Sequence, residues 1–168
     1  ITVSGAQDVA SLTVTENGFS VSGAALLFGN QDAPANGYNN YISVSSGKTF
    51  TISSNLVTDT ANLNVNTFEI KGGGTTIISG GDSTFSRSLY VTNGALVLTG
   101  GSITTSGLDP IIGNNASNSA SLTVSGGTFN SRGTIRFGRA ASGTLTIANT
   151  GVVTVGGGTG SVFISDAF

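Results

Sequence analysis

The sequence predicts an all-β protein, a right-handed parallel β-helix (β-solenoid) of about six triangular coils. Three observations predict it. Apolar and polar residues alternate with period two along most of the chain, glycine pairs and triplets interrupt the alternation, and the strand–turn unit recurs at roughly one coil length.

The alternating runs come first. Leu12-Thr13-Val14, Phe19-Ser20-Val21, Ile42-Ser43-Val44, Phe50-Thr51-Ile52, Leu63-Asn64-Val65 and Phe68-Glu69-Ile70 each place two apolar side chains on one side of an extended backbone. Leu89-Tyr90-Val91, Leu122-Thr123-Val124, Ile135-Arg136-Phe137, Leu145-Thr146-Ile147 and Val153-Thr154-Val155 continue the pattern. The residues between them are mostly Thr, Ser, Asn or charged, as on the solvent side of a strand. Helical periodicity is absent beyond the short Ala24–Phe28 run, which is too brief to nucleate a helix. Turns are marked by Gly72-Gly73-Gly74, Gly80-Gly81, Gly100-Gly101, Gly126-Gly127 and Gly156-Gly157-Gly158.

Repetition separates a solenoid from a β-sandwich, the alternative that short, evenly spaced strands also allow. Ser121 to Gly138 reads as strand, Gly turn, strand, turn, strand, and Thr144 to Ile164 repeats it. Taking Leu12, Ile42, Leu63, Leu89, Leu122 and Leu145 as leading positions gives separations of about 21 to 33 residues. The longest two contain proline-bearing polar stretches at about 30–40 and 109–119, read as two protruding loops. Without them, each repeat falls in the low-to-mid twenties. Residues 1–168 are thus expected to form a single β-solenoid domain.

Composition narrows function by exclusion. Charged residues make up 8% of the chain and net charge is -2, against about 25% charged in ordinary soluble domains. Nothing in that balance suits nucleic acid or an anionic membrane. No apolar run is long enough for a membrane-spanning helix. The absence of Cys and His removes thiolate chemistry, disulfides, zinc-thiolate sites and the commonest general base. Asp8, Glu16, Asp32, Asp59, Glu69, Asp82, Asp109 and Asp166 are scattered rather than paired. Stacking of coils could bring Asp59 near Asp82 or Asp82 near Asp109, but isolated solvated carboxylates are the expectation, and the chain is read as not an enzyme. No cofactor is implied. Calcium held by loop carbonyls with Asp32 or Asp109 is the one metal reading that the residues leave open. Gly80-Gly81-Asp82 is only a fragment of a calcium-binding nonapeptide.

Two groups of side chains suit contact with a glycan or protein partner. Tyr38 and Tyr41 flank Asn39-Asn40 in the first loop, where aromatic and amide groups could stack on sugar. Arg132, Arg136 and Arg139 form a basic cluster with Arg136 facing outward. Either group could equally pack against the rod or remain solvated. The sequence lacks Met, so Ile1 is read as the start of a processed chain or fragment, exported after removal of a secretion signal.

The run Leu122-Thr-Val-Ser-Gly-Gly-Thr-Phe, with Gly133-Thr-Ile-Arg-Phe-Gly and Gly143-Thr-Leu-Thr-Ile, resembles the autotransporter-associated β-strand repeats of bacterial surface proteins. The likeness covers the chain from about Leu89 onward. It implies secretion, a β-helical passenger-type fold and a surface-structural or adhesive role, and it transfers no catalytic residue.

The ends complete the expectation. Neither carries a helical or charged cap, and bare solenoid edges recruit further strands. Ile1 and Val3 at one end, with Val162, Phe163, Ile164 and Phe168 at the other, are the expected assembly interface. The partners would be copies of the same chain, stacked head to tail in an extracellular filament or surface layer. A fragment of an adhesin is the alternative reading. A polysaccharide-active enzyme is a more distant one.

Overall fold

In the computed structural model, residues 1–29, 40–58, 67–86, 88–107, 109–115, 117–158 and 160–164 are described. They form twenty-one short strands, and every pairing between named strands is parallel. A sandwich built from antiparallel hairpins is thereby ruled out.

The chain climbs in rungs of three strands. The first rung is β1 (Thr2–Val3), β2 (Gln7–Asp8) and β3 (Ser11–Val14), and the second is β4 (Phe19–Gly23), β5 (Leu26–Phe28) and β6 (Asn40–Val44). The third is β7 (Thr49–Ile52), β8 (Leu56–Thr58) and β9 (Thr67–Lys71), followed by β10 (Thr75–Ile78), β11 (Asp82–Phe85) and β12 (Ser88–Val91). Next come β13 (Gly94–Leu98), β14 (Ser102–Thr105) and β15 (Ile111–Ile112), then β16 (Ala120–Val124), β17 (Thr128–Ser131) and β18 (Ile135–Phe137). The last rung is β19 (Gly143–Ile147), β20 (Val152–Val155) and β21 (Val162–Ile164), with a 3-10 turn at Gly156–Gly158. Every third strand stacks on its equivalent, giving three seven-stranded parallel sheets that begin with β1, β2 and β3.

The rungs number seven, where the sequence count gave about six. Coils counted from Leu12 left out β1 and β2 before it and β15 between Leu89 and Leu122, three strands that amount to one rung. The leading positions also change sheet: Leu12, Ile42 and Leu89 lie in the third sheet and Leu122 and Leu145 in the first, while Leu63 is outside the described residues. The loop expected at 109–119 is a further correction. It contains β15, whose Ile111 and Ile112 are 4% and 0% exposed. Pro110 stands just before that strand, where the missing N–H costs nothing, and its carbonyl accepts from Arg136 N at 3.0 Å. Most of the loop expected at 30–40 lies outside the described residues.

The shaft is lined by in-register columns. In the third sheet Leu12, Ile42, Ile70, Val91, Ile112, Phe137 and Ile164 are successive partners. In the first sheet Val21, Ile52, Ile78, Leu98, Val124 and Ile147 run the same way. A side chain that would be half-buried on an isolated sheet is thus covered from above, below and across. Phe28, Phe68 and Phe85 fill the angle between the second and third sheets, with Phe68 centred 4.8 Å from each neighbour.

The three corners differ. From the first sheet to the second, the chain turns within Ser53–Asn55, Ser79–Gly81, Thr99–Gly101 and Ser125–Gly127. Ser79, Thr99 and Ser125 each donate a long hydroxyl bond of 3.4 Å to the carbonyl one rung below, and Ser53 repeats it at 3.5 Å. Gly81, Gly101 and Gly127 have φ of 74°, 74° and 75°. A Cβ on Gly101 would strike the carbonyl oxygen of Gly81, and one on Gly127 that of Gly101. Only glycine can stack there. The two longest connections, residues 29–39 and 59–66, run from the second sheet to the third, and the next longest, 113–119, runs from the third to the first.

Candidate functional site: end rungs and outer faces

The inner positions of each rung are occupied by the core, so chemistry is confined to the two end rungs and three outer faces. At the C-terminal rung the shaft columns emerge uncovered. Ile164 is 75% exposed although its partner Phe137 is 1% exposed, and Ile147 is 53% exposed above a fully buried Val124. Val162, partner of the buried Ile135, is likewise exposed, while Val152, partner of Thr128, is exposed on the outer face of the second sheet. At the other end Ile1 is exposed, with its ammonium donating to Ser20 O at 2.8 Å, and Phe19 is open because the short β1 does not reach over it. Val3 is half-buried against the core.

Of the residues expected at an assembly surface, Ile1, Val162 and Ile164 are therefore exposed at the ends of the shaft, while Val3 is partly packed. Phe163 departs from that set in direction: as partner of Arg136 it stands on the outer face of the third sheet. Phe168 is outside the described residues. Sequence reading missed Phe19 and Ile147, because an inward residue on a terminal strand looks the same as one in mid-stack until the rungs are counted.

The outer face of the third sheet carries the richest side chains. Ser11, Tyr41, Glu69, Tyr90, Ile111, Arg136 and Phe163 are successive register partners. Tyr41, expected in a loop, is on β6 because Asn40 turns inward and donates to Phe28 O at 3.1 Å, which starts the strand one residue earlier. Lys71 Nζ lies 3.9 Å from the Tyr41 ring centre and 2.9 Å from Glu69 Oε2. Hydrogen bonds from Ser11 and Thr13, with the Lys71 charge, lower the Tyr41 phenol below its usual value.

Further along, Asp109 fixes Arg136. Its Oδ1 accepts from Thr134 N at 3.0 Å and its Oδ2 from Arg136 Nε at 3.2 Å. The Arg136 guanidinium carbon is 5.3 Å from the Phe163 ring centre. Arg132 and Arg139 are exposed at opposite corners of this sheet, so the three arginines bracket one face. Tyr38 lies outside the described residues. Glu69, Lys71, Tyr90 and Asp109 join the stripe unannounced by sequence, since their positions depend on which rungs stack.

The other carboxylates do not converge. Asp82 accepts from Ser102 Oγ at 2.7 Å, its own rung partner, so stacking brings it a serine where Asp109 was considered. Glu16 pairs with Lys48 at 3.1 Å. Among the described residues no three acidic side chains come together as a metal would require. Asp109 has both oxygens engaged, while Asp32 and Asp59 lie outside the described residues. Among the described residues no helix is long and apolar enough to cross a membrane.

The outer face of the first sheet is different in kind. One column runs Thr49, Thr75, Ala95, Ser121, Thr144, and the other Ser20, Thr51, Ile77, Val97, Thr123, Thr146. None is charged.

Comparison with protein-family models, with curated proteins and with solved structures returns no match.

Proposed function

We propose that this chain is a non-enzymatic extracellular structural protein, whose solenoid ends stack head to tail on further copies to build a filament or surface layer. The observation that carries the reading is the abrupt exposure of shaft side chains at the last rung. Ile147, Val162 and Ile164 are 53%, 43% and 75% exposed, one rung above Val124, Ile135 and Phe137, which are buried. Each end also offers three parallel strand edges in the same triangular arrangement. A second copy supplies a complementary set, and a contact of that kind does not close on itself.

The magnitudes favour assembly that depends on concentration. Burying about five half-exposed aliphatic side chains is worth roughly 5 kcal/mol. On the order of six new ladder hydrogen bonds add about as much. Association itself costs about 4 to 15 kcal/mol. The balance is small and sensitive to one side chain. The low charge density removes the repulsion that would otherwise oppose stacking. The resemblance of Leu122 to Ile147 to autotransporter-associated repeats favours an exported, surface-structural setting.

Negative-stain microscopy and sedimentation over a concentration series test this. Wild type is expected to form filaments of one width, and the double variant I147K/I164K monodisperse rods with unchanged circular dichroism. Short rods from wild type at every concentration would exclude it.

A second reading, a segment of a β-helical adhesin, is favoured by the Tyr41–Glu69–Tyr90–Arg136 stripe. A carboxylated cell-surface glycan suits that stripe, with the arginine as its anchor. Glycan-array binding lost in R136A would support it.

A further inference from the structure

We propose that the outer face of the first sheet binds ice. This surface is lateral, so the proposal stands apart from end-to-end stacking and from the stripe on the third sheet.

Its geometry is a two-dimensional lattice. The pairings from β7 through β19 hold one register without slip, so outward side chains form two straight columns. Rungs repeat at about 4.8 Å and alternate residues along a strand at about 6.7 Å, each within roughly a tenth of the spacing of oxygen rows on the prism face of ice. Thr49 beside Thr51, and Thr144 beside Thr146, present whole ranks of paired hydroxyls and methyls. Ser121 beside Thr123 presents another hydroxyl pair.

The chemistry fits the same occupant. Each hydroxyl can donate to and accept from lattice water. The methyls, with Ile77, Ala95 and Val97 between the threonine ranks, order the water they cannot bond. A charge would instead hold water in its own hydration geometry, and this face carries none. The corner toward the second sheet is uniformly tight, so no described connection overhangs that edge.

Size argues against a lateral copy of the chain. Five rungs by one strand length is on the order of 300 Å², from the same spacings. A stable protein interface buries about 800 Å² on each partner. A crystal surface has no such threshold, because each matched rank adds independently.

The test is partition of fluorescently labelled chain into a slowly growing ice hemisphere, with thermal hysteresis read in parallel. Wild type is expected to enter the ice and give hysteresis. T123K should be excluded from ice and lose hysteresis, whereas T104K, on the outer face of the second sheet, should retain both. Circular dichroism checks folding, and T51K replaces T123K if the latter is misfolded. Exclusion of wild type from ice overturns the proposal, as does equal loss in T123K and T104K. A wild-type dimer that T123K dissociates, with no entry into ice, assigns the face to self-association and overturns it too.

Discussion

Removing the ring of Phe68 is the most direct test of the shaft. Phe68 is 1% exposed and touches two rings, Phe28 edge-on at 78° and Phe85 tilted at 38°, both at 4.8 Å between centres. A buried Phe→Ala change costs about 3 to 5 kcal/mol through lost transfer energy and residual cavity. Two aromatic contacts of about 0.5 to 1.5 kcal/mol each lie behind that range. Here the upper end is expected. Phe68 is paired to Asn40 below and Leu89 above, and ladder bonds on both sides hinder collapse of the backbone into the void. Against a typical domain stability of about 5 to 15 kcal/mol, F68A forfeits a third or more. Urea unfolding followed by circular dichroism measures it. A rod stabilised rung by rung should also separate into halves, so the transition of F68A should broaden as well as shift. F163A, which removes a ring that is 47% exposed, is the control, with a loss below about 1 kcal/mol. If F68A costs no more than F163A, the filled-shaft account fails.

Three further outcomes are expected. Thr76 is fully buried between Phe50 and Leu96 in its column, and its hydroxyl has no hydrogen-bond partner. T76V should therefore raise stability by about 1 kcal/mol or more, and a loss in thermal or urea midpoint would contradict the inward placement. F137D puts an unpaired charge in an apolar column and should abolish the folded circular dichroism spectrum, so a normal spectrum would refute the assignment. The Tyr41 phenol, favoured as phenolate by Ser11, Thr13 and Lys71, should ionise below 10.0, its ordinary value, in a spectrophotometric titration compared with Y41F. Because the folded value is lowered, its contribution to stability appears as pH rises through that value and is lost as pH falls back through it. A Tyr41 step at or above 10.0 would contradict the assigned contacts.

Sequence carried the architecture well where turns are short. Leu122 to Gly138 is a rung in the chain as in the repeat, because Gly126-Gly127 forces the corner and Phe129, Ile135 and Phe137 alternate without interruption. Ile111-Ile112 was lost for a physical reason: a two-residue strand has no period, and Pro110 reads as a loop. The phase of the repeat slipped because apolar-Thr-apolar runs occur in more than one sheet, as Ile42-Ser43-Val44 and Leu122-Thr123-Val124 do. Nothing local distinguishes them. Tyr41 and Arg136 were each visible as outward or exposed groups. Their membership of one stripe, with Glu69 and Tyr90 between, exists only through register, as does Thr76 on the inside.

The contrast between corners sets where this kind of chain can change. Along the Gly81–Gly101–Gly127 edge each turn rests on the backbone of the one beneath, so a residue added or enlarged there displaces its neighbours on either side. At the opposite edge, between the second and third sheets, the path can leave and rejoin the stack at the same height, and extra length disturbs only its own level. Variation in length is thus kept off the glycine edge and falls on the connections that enter and leave the third sheet, so the glycine corner can keep a fixed pattern while they are rewritten.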